Sequence, residues 1–182
     1  NKSSCRSYRK ASEFHTFTPA PLRIISGKYK GKNLIVPKGL PVRPTTDYAK
    51  ESLFNILNNT ISFQDLNILE LFAGTGNVGY EFMSRGAKNI TSVDLDFKCI
   101  QFIKKMNKEI GIEGRVIRSE AFRFVKSNKD KYNLIYADPP YEMDNLLLLP
   151  DLIFDKGLLQ EGGLIIIEHK KEVDFSQAKN YT

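Results

Sequence analysis

Short apolar runs alternate with segments of helical periodicity from residue 67 to residue 168, and this alternation limits the fold more than any other feature. The runs have the length of buried strands, and apolar spacings of three and four residues are typical of helices that cover a sheet. Repeated β-α units predict an α/β fold, with a mostly parallel sheet and helices on both faces. The predicted strands are 67–71, 89–93, 115–118, 133–137 and 164–168, and the predicted helices are 78–85, 97–110, 121–126 and 145–155.

Three segments are expected along the chain. Residues 1–21 are polar and rich in Ser, Thr and Pro, which indicates a flexible leader or a foreign remnant. Residues 22–44 hold two β-rich runs around Gly27 and Gly31, followed by a Pro/Gly-rich linker, and predict a β-hairpin extension. Residues 45–182 form the main domain, whose first helix begins near Asp47.

Positive charge is concentrated at the N-terminus. Residues 1–50 contain 11 Lys/Arg and 2 Asp/Glu, whereas residues 51–182 contain 16 Lys/Arg and 19 Asp/Glu. The polar positions of the predicted hairpin carry Arg23, Lys28, Lys30 and Lys32. A basic appendage on a near-neutral body is typical of a protein that meets a polyanion, although a solvated basic tail without a partner has the same composition.

Several classes of protein fit the sequence poorly. No apolar run approaches the roughly 20 residues needed to span a bilayer, and the first twenty residues lack the apolar centre of a secretory signal. Cys5 and Cys99 have no C-x-x-C partner or His cluster, so we predict no metal site and expect free thiols of a reducing cytosol.

A glycine-rich loop follows the first predicted strand of the main domain. The sequence Glu70-Leu-Phe-Ala-Gly-Thr-Gly76-Asn-Val-Gly79 contains G-x-G-x-x-G, which permits a tight turn and a close approach of ligand to backbone. Asp94 ends the next strand, 20 residues after Gly74, where a carboxylate binds ribose hydroxyls in doubly wound folds. These features predict an adenosine-type cofactor and fit both NAD and S-adenosylmethionine.

Glu70 favours S-adenosylmethionine. A carboxylate just before the glycines would repel the pyrophosphate of NAD. It suits the ammonium group of a methionine moiety or the backbone of the loop itself.

The most specific motif is Asp138-Pro-Pro-Tyr141, directly after a predicted strand. Ligands bind at the carboxyl ends of strands in this architecture. The two prolines stiffen the backbone and remove two N–H donors, which we expect to leave outward and unpaired carbonyls beside the Asp138 carboxylate. Two acceptors and an aromatic ring can hold the exocyclic amine of a base that has left its stack.

Methyl transfer to such an amine needs little further chemistry. A sulfonium methyl group is a good electrophile, so holding the amine nitrogen in line supplies much of the catalysis. Acceptors for the amine protons stabilise the positive charge that develops on nitrogen. We therefore predict neither a nucleophilic side chain nor a metal.

The chain resembles the bacterial family that methylates N2 of a guanine in 16S ribosomal RNA of the small subunit, the small-subunit rRNA methyltransferase D type. The similarity runs from about residue 22 to residue 168. The matching stretches are Leu22-Arg-Ile-Ile-Ser-Gly-Lys-Tyr-Lys-Gly31, Arg43-Pro-Thr-Thr-Asp47, Ala49-Lys-Glu-Ser-Leu-Phe-Asn-Ile-Leu57, Leu71-Phe-Ala-Gly-Thr-Gly76 and Asp138-Pro-Pro-Tyr141. The basic hairpin followed by Arg-Pro-Thr-Thr-Asp is the narrowest of these signatures.

The resemblance implies a seven-stranded class I S-adenosylmethionine-dependent methyltransferase fold, which is Rossmann-like, and a monomeric cytoplasmic enzyme. It implies ribosomal RNA as the partner, within a partly assembled small subunit. Members of the family begin near Leu22 and end with a further helix and an antiparallel strand pair, so we expect this chain to be shortened at its C-terminus.

The expected site residues follow from the motifs and the resemblance together. The catalytic residues are Asp138, Pro139, Pro140 and Tyr141; the cofactor-binding residues are Glu70, Phe72, Ala73, Gly74, Thr75, Gly76, Asp94, Leu95, Glu120, Ala121 and Asp138; the RNA-binding residues are Arg23, Lys28, Lys30, Lys32 and Arg43. His169, at the end of the last predicted strand, is expected to be an ordinary surface residue.

Other functions fit parts of this pattern. An amine methyltransferase acting on DNA adenine or protein glutamine uses a similar Pro-Pro-aromatic site. A non-catalytic RNA-binding assembly factor can keep the same fold. A hydride-transfer enzyme fits less well, because the Asp-Pro-Pro-Tyr motif has no evident task in it.

Overall fold

The computed structural model describes residues 22–37, 39–40 and 47–176. A two-stranded hairpin precedes a domain of alternating strands and helices. The elements are β1 Leu22–Arg23, β2 Asn33–Leu34, α1 Asp47–Asn58, β3 Asn67–Leu71, α2 Asn77–Ser84, β4 Asn89–Asp94, α3 Phe97–Ile110, β5 Arg115–Arg118, α4 Ala121–Ser127, β6 Tyr132–Ala137, α5 Leu148–Asp155 and β7 Leu159–Ile167. No helix in these ranges is both long and apolar enough to cross a membrane.

The main sheet confirms the predicted α/β class. Its strand order is β5-β4-β3-β6-β7, and every neighbouring pair is parallel. The first strand of this sheet, β3, is central. The next two strands, β4 and β5, lie on one side of it, and β6 and β7 lie on the other side. The strand order therefore reverses between β3 and β6, which is where a ligand cleft forms in this architecture. Within the described ranges the main sheet has five strands, compared with the seven that the resemblance implies.

Alternate residues of each strand face two separate cores, because successive side chains of a strand point to opposite faces. One core packs Ile68 and Leu134 against residues of α1, α2 and α3. The other packs Leu69 and Ile135 against residues of α4 and α5. The sheet is thus covered on both faces, as predicted.

Two predicted boundaries differ from the structure by more than one residue. The strand predicted at 164–168 begins earlier, at Leu159, and continues through Gly162 and Gly163 with a shift in its register against β6. Glycine within a strand is typical of such an irregularity. The helix predicted at 145–155 begins at Leu148, after a series of turns.

The hairpin is fastened to α2. The N–H groups of Ile25 and Ser26 donate to the buried carboxylate of Glu81 at 2.8 and 3.0 Å. Gly27 lies so close to α2 that an added Cβ would stand 1.8 Å from the carbonyl oxygen of Ser84. The N–H of Lys28 donates to that same oxygen at 2.7 Å, so the turn of the hairpin is held at the C-terminal end of α2.

Candidate active site

A large cavity lies at the carboxyl ends of the strands, beside the point where the strand order reverses. It has a volume of about 980 Å³ and is lined by residues that follow β3, β4, β6 and β7 and by the start of α2. A second cavity of about 570 Å³ lies at the opposite edge of the sheet, around Asn67, Asn89 and Arg115. Of these two, only the first contains the predicted motifs, and it has the size of a cofactor site.

The glycine loop at the floor of the cleft has an unusual backbone. Gly74 and Gly76 have φ values of 53° and 71°, and the N–H of Gly76 donates to the carbonyl of Ala73 at 2.7 Å. Phe72 also has a positive φ, 57°, which is rare for an aromatic residue and indicates local strain at a functional site. The loop leads directly into α2, whose N-terminal N–H groups favour electron-rich ligand atoms.

Glu70 holds the glycine loop in place through hydrogen bonds. Its two carboxylate oxygens accept hydrogen bonds from the N–H of Gly79 at 2.8 Å and from the Ser92 hydroxyl at 2.9 Å. An added Cβ at Gly79 would stand 2.5 Å from the Glu70 carboxylate, so only glycine allows this approach. Two roles were considered for Glu70, and the structure shows one of them, the hydrogen bond to the backbone. Glu70 also lines the cleft, so the ammonium group of methionine stays a proposed partner.

The pKa of the Glu70 carboxyl is strongly perturbed. Burial raises its pKa to about 7, and the hydrogen bonds from Gly79 and Ser92 only partly oppose this effect. The nearby carboxylates Asp94 and Asp138 are smaller contributions to this increase in the pKa.

Asp94 lies at the end of β4, opposite the glycine loop. Its carboxylate accepts from the N–H of Gly74 at 2.7 Å and from the N–H of Asp96 at 2.8 Å. Each carboxylate oxygen can accept more than one hydrogen bond, so these bonds orient the group toward the cleft without using its full capacity. This geometry suits a carboxylate that binds two vicinal ribose hydroxyls.

The next part of the wall carries three further residues that were predicted to bind the cofactor. Leu95, Glu120 and Ala121 all line the cleft. The Glu120 carboxylate caps α4 through the N–H groups of Phe122 and Arg123, at 2.9 and 2.7 Å. Glu120 is thus also a structural N-cap, which the sequence did not reveal.

The Asp138-Pro-Pro-Tyr141 segment forms the opposite wall. Asp138 is half-buried, Pro139 is buried and Tyr141 is exposed. The carbonyl of Pro140 accepts from the N–H of Met143 at 3.1 Å, so the expectation that both proline carbonyls stay unpaired was wrong. The turn that this bond closes places all four residues of the motif on the cleft.

The structure brings most of the predicted site residues together. All predicted catalytic residues line the cleft, as do all predicted cofactor-binding residues except Gly76. Gly76 instead packs against Ile103 and Tyr80 and provides the positive φ before α2. Arg43 lies outside the described residues. His169 is exposed, and its ring contacts Phe175 with a centroid distance of 4.9 Å.

Two cleft residues could not be predicted from the sequence motifs. Tyr136 lies within β6 and Glu168 directly follows β7, and the Tyr136 hydroxyl donates to the Glu168 carboxylate at 2.5 Å. Neither belongs to a motif that was singled out for its side chain, and they are 32 residues apart. These residues could have been predicted from their positions at the carboxyl ends of adjacent strands. That adjacency, however, is apparent only when the strand order is known.

The cleft is acidic. Among the described residues that line it, six carboxylates outnumber two basic side chains, and this balance favours a cationic ligand over the pyrophosphate of NAD. The carboxylates are those of Glu70, Asp94, Asp96, Glu120, Asp138 and Glu168, and the basic side chains are Lys98 and Arg118.

The three predicted RNA-binding lysines of the hairpin lie on a different surface. Arg23, Lys28, Lys30 and Lys32 are exposed. The ammonium groups of Lys28 and Lys32 stand over the ring of Tyr29, at 5.2 and 5.4 Å from its centroid. Because this turn sits at the C-terminal end of the eight-residue helix α2, the three lysines are separated from the cleft by about 12 Å of helix.

The fold and the cleft define a class I S-adenosylmethionine-dependent methyltransferase fold, as the sequence predicted. Among solved structures, the fold matches that of yhhF of Escherichia coli, a protein assigned as a methyltransferase, with a TM-score of 0.75, 33% identity and coverage of 85% of each chain. SMU.776, also assigned as a methyltransferase and solved in complex with SAH, matches 66% of this chain and 35% of its own at a TM-score of 0.55. At 20% identity, this second likeness shows the fold alone.

Sequence comparison places the chain in a family. The family described as Conserved hypothetical protein 95 matches residues 22–182. Ribosomal RNA small subunit methyltransferase D of Escherichia coli K12 is 35% identical over 152 residues, which are 83% of this chain and 76% of that protein. The protein of the same name from Haemophilus influenzae is 30% identical over 166 residues, which are 88% of this chain and 85% of that protein. The chain belongs to the ribosomal RNA small subunit methyltransferase D family.

Proposed function

We propose that this protein transfers the methyl group of S-adenosylmethionine to the exocyclic N2 amine of a guanine in small-subunit ribosomal RNA. The observation that carries the proposal is the meeting of two motifs in one cleft: the glycine loop with Asp94 on one wall and Asp138-Pro-Pro-Tyr141 on the other. The first is suited to an adenosine-type cofactor, and the second to a flipped base bearing an amine. Relatives named as small-subunit methyltransferases support the choice of RNA.

The cofactor would lie against the wall that the glycine loop and Asp94 form together. Asp94 would bind the ribose hydroxyls, while the acidic wall would face the sulfonium and ammonium charges of S-adenosylmethionine. The loop and its support by Glu70 keep this half of the cleft in place before the cofactor arrives, which reduces the cost of ordering it on binding.

The target base would enter beside Tyr141, which is half-exposed and can stack on it. The candidate acceptors for the amine protons are the Asp138 carboxylate and the Pro139 carbonyl. They would orient the nitrogen lone pair toward the methyl group and stabilise the charge that nitrogen acquires. Pro139 and Tyr136 are both buried and would help to keep water away from the reacting amine.

The RNA would also contact the basic hairpin. The lysines beside Tyr29 are about one helix length from the cleft, a distance that a structured RNA can span while one base is flipped into the site. We expect the protein to act as a monomer in the cytoplasm on a partly assembled small subunit, where rRNA carries some of its proteins.

The proposal is tested by offering labelled S-adenosylmethionine with each of three substrates: immature small subunits, naked small-subunit rRNA and duplex DNA. We expect label in rRNA, recovered as N2-methylguanosine after digestion and mass spectrometry, with the Asp138→Ala variant as the negative control. Methyl-adenine in DNA, methylated glutamine in subunit proteins, or RNA binding without any transfer would each replace the proposed function by one of the alternatives.

A further inference from the structure

Glu168 lies beside Asp138 at the carboxyl ends of the two neighbouring strands β7 and β6. The register of β6 and β7 pairs Ala137 with Ile167, so the next residues along the two strands, Asp138 and Glu168, are neighbours. The N–H of Glu168 donates to the carbonyl of Ala137 at 2.9 Å and extends the pairing to this point. Neighbouring strands are about 4.8 Å apart, so one base can contact both residues.

A buried phenol fixes the orientation of the Glu168 carboxylate. Tyr136 is paired with Ile166 and therefore shares its face of the sheet with Asp138 and Glu168. Its ring is buried, with 2% of its surface exposed, and its hydroxyl donates to Oε1 of Glu168 at 2.5 Å. Burial, and then the Glu168 charge, raise the pKa of Tyr136, so the phenol keeps its proton and remains a donor. One oxygen of Glu168 is thereby held, while the half-buried carboxylate lines the cleft.

A carboxylate at this place discriminates between purines. The edge of guanine carries two adjacent donors, the N1–H and the N2 amine. An adenine edge presents an acceptor, N1, next to its amine, and 2-aminopurine likewise has an acceptor at N1. A carboxylate accepts from N1–H but repels the lone pair of an unprotonated N1.

We propose that Glu168 is the specificity-determining residue of this cleft. Its carboxylate accepts a hydrogen bond from the N1–H of the target guanine, while Asp138 and Pro139 hold the N2 amine. The inference rests on the proposed function, because it names the residue that makes that site select guanine. Tyr136 is the positioning residue for Glu168. A merely structural role, in which the Tyr136–Glu168 hydrogen bond only joins β6 to β7, predicts no effect on the choice of base.

The test compares two RNAs that differ at the methylated position, one with guanine and one with 2-aminopurine, which keeps the N2 amine but lacks the N1–H. The position is first mapped in immature subunits, and each RNA is then reconstituted into the same particles. Wild type is expected to prefer guanine in kcat/KM by about tenfold or more, the scale of one good base-edge contact. In Glu168→Gln this preference is expected to fall at least about fivefold, because the amide can donate to N1.

Two controls isolate the contact. Glu161→Gln changes an exposed carboxylate at the other end of β7 and is expected to keep the wild-type preference. The two bases also differ at O6, but any bond to O6 elsewhere in the cleft would be missing equally in wild type and variant, so only the change in the ratio is diagnostic. Thermal unfolding and S-adenosylmethionine affinity verify that Glu168→Gln is folded.

The outcomes separate the two proposals. If Glu168→Gln loses turnover on both RNAs, the preference is measured as a ratio of affinities instead. The two RNAs then compete for binding in the presence of S-adenosylhomocysteine. An unchanged ratio in a wild type that methylates guanine overturns the role of Glu168 and leaves the proposed function intact. Absence of N2-guanine methylation by wild type overturns the proposed function itself.

Discussion

Lys50 and Glu81 form an ion pair with 3.7 Å between Nζ and Oε2, and neither side chain is exposed to solvent. Lys50 also donates to the carbonyl of Arg23 at 2.6 Å and to the side chain of Asn77 at 2.8 Å. It thus joins α1 to the hairpin and to the first residue of α2, which lines the cleft. Burial lowers the pKa of Lys50, while the neighbouring Glu81 is the main influence in the opposite direction.

Lys50→Met is expected to lower the free energy of unfolding by about 1–3 kcal/mol, because it leaves the buried acceptors on Arg23 and Asn77 without their donor. The Glu81 charge keeps one cationic partner, Arg85, at 2.9 Å. Lys105→Met is the matched control, since the Lys105–Glu109 pair has the same 3.7 Å separation but is exposed. The control is expected to change stability by about 0.5 kcal/mol or less. Urea unfolding of both variants measures this difference, and equal losses would show that burial of the pair is unimportant.

Glu70 gives the fold a specific pH dependence. Its pKa is about 7 in the folded protein, compared with 4.5 for a free carboxyl. Between these values the folded state holds a proton that the unfolded chain has released, so stability falls as pH rises. The stabilisation is complete below pH 4.5 and lost above about pH 7, and it amounts to on the order of 3 kcal/mol.

Glu70→Gln removes the titrating group and keeps an acceptor for the N–H of Gly79. Its stability is therefore expected to vary less between pH 4.5 and 7 than that of wild type. Chemical denaturation at a series of pH values gives both curves, and Glu109→Gln, an exposed position on α3, serves as the control. Parallel curves for wild type and Glu70→Gln would refute the assignment.

Asp94→Ala is expected to weaken S-adenosylmethionine binding by about 1.5–3 kcal/mol, the range for a hydrogen bond to a charged group. The loss has two sources, the ribose hydroxyls and the N–H of Gly74 that Asp94 holds in the loop. Calorimetry measures it directly. Asp130→Ala, which removes an exposed carboxylate paired with Arg115 at the opposite edge of the sheet, should bind the cofactor normally. Wild-type affinity in Asp94→Ala would exclude the ribose contact.

Asp138→Ala is expected to fold and to bind cofactor, yet to transfer methyl groups at a rate reduced by about 100-fold or more. The physical reason is that charge develops on the amine nitrogen next to this carboxylate only during the reaction. Single-turnover kinetics separate this step from binding and release. Asp144→Ala, an exposed acid six residues further on, is the control. Near-normal single-turnover rates in Asp138→Ala would rule out its catalytic role.

Local signals explain which elements the sequence predicted well. The helix α3 was predicted from Phe97 to Ile110, as found, because Asp96 caps its start by accepting from the N–H of Cys99 and Gly111 ends it with a φ of 80°. The strand β3 was likewise predicted to the residue, since its apolar residues begin after Asn67 and the glycine loop follows soon after Leu71. The cleft motifs could be predicted for the same reason, as each is contiguous in sequence.

Interactions between distant segments were beyond the sequence. The Tyr136–Glu168 hydrogen bond depends on the register of β6 and β7, which the irregular strand around Gly162 and Gly163 shifts. The burial of Glu81 is a second example, because its carboxylate accepts N–H groups of the hairpin that are 56 and 55 residues away in sequence. Such groups are recognisable only when the packed partner is known.

The basic hairpin provides the clearest test of where RNA is bound. Lys28, Lys30 and Lys32 are exposed at the end of α2 away from the cleft, so replacing all three by Ala should leave S-adenosylmethionine affinity unchanged. RNA affinity should fall, and the slope of log affinity against log salt should flatten by about 0.7–0.9 for each phosphate that the variant no longer neutralises. The matched control replaces three exposed lysines of α3, Lys104, Lys105 and Lys108, and removes the same charge from another surface. Titration of small-subunit rRNA at several salt concentrations gives the slopes. If both triple variants flatten the slope equally, RNA responds only to net charge and the hairpin is no specific RNA surface.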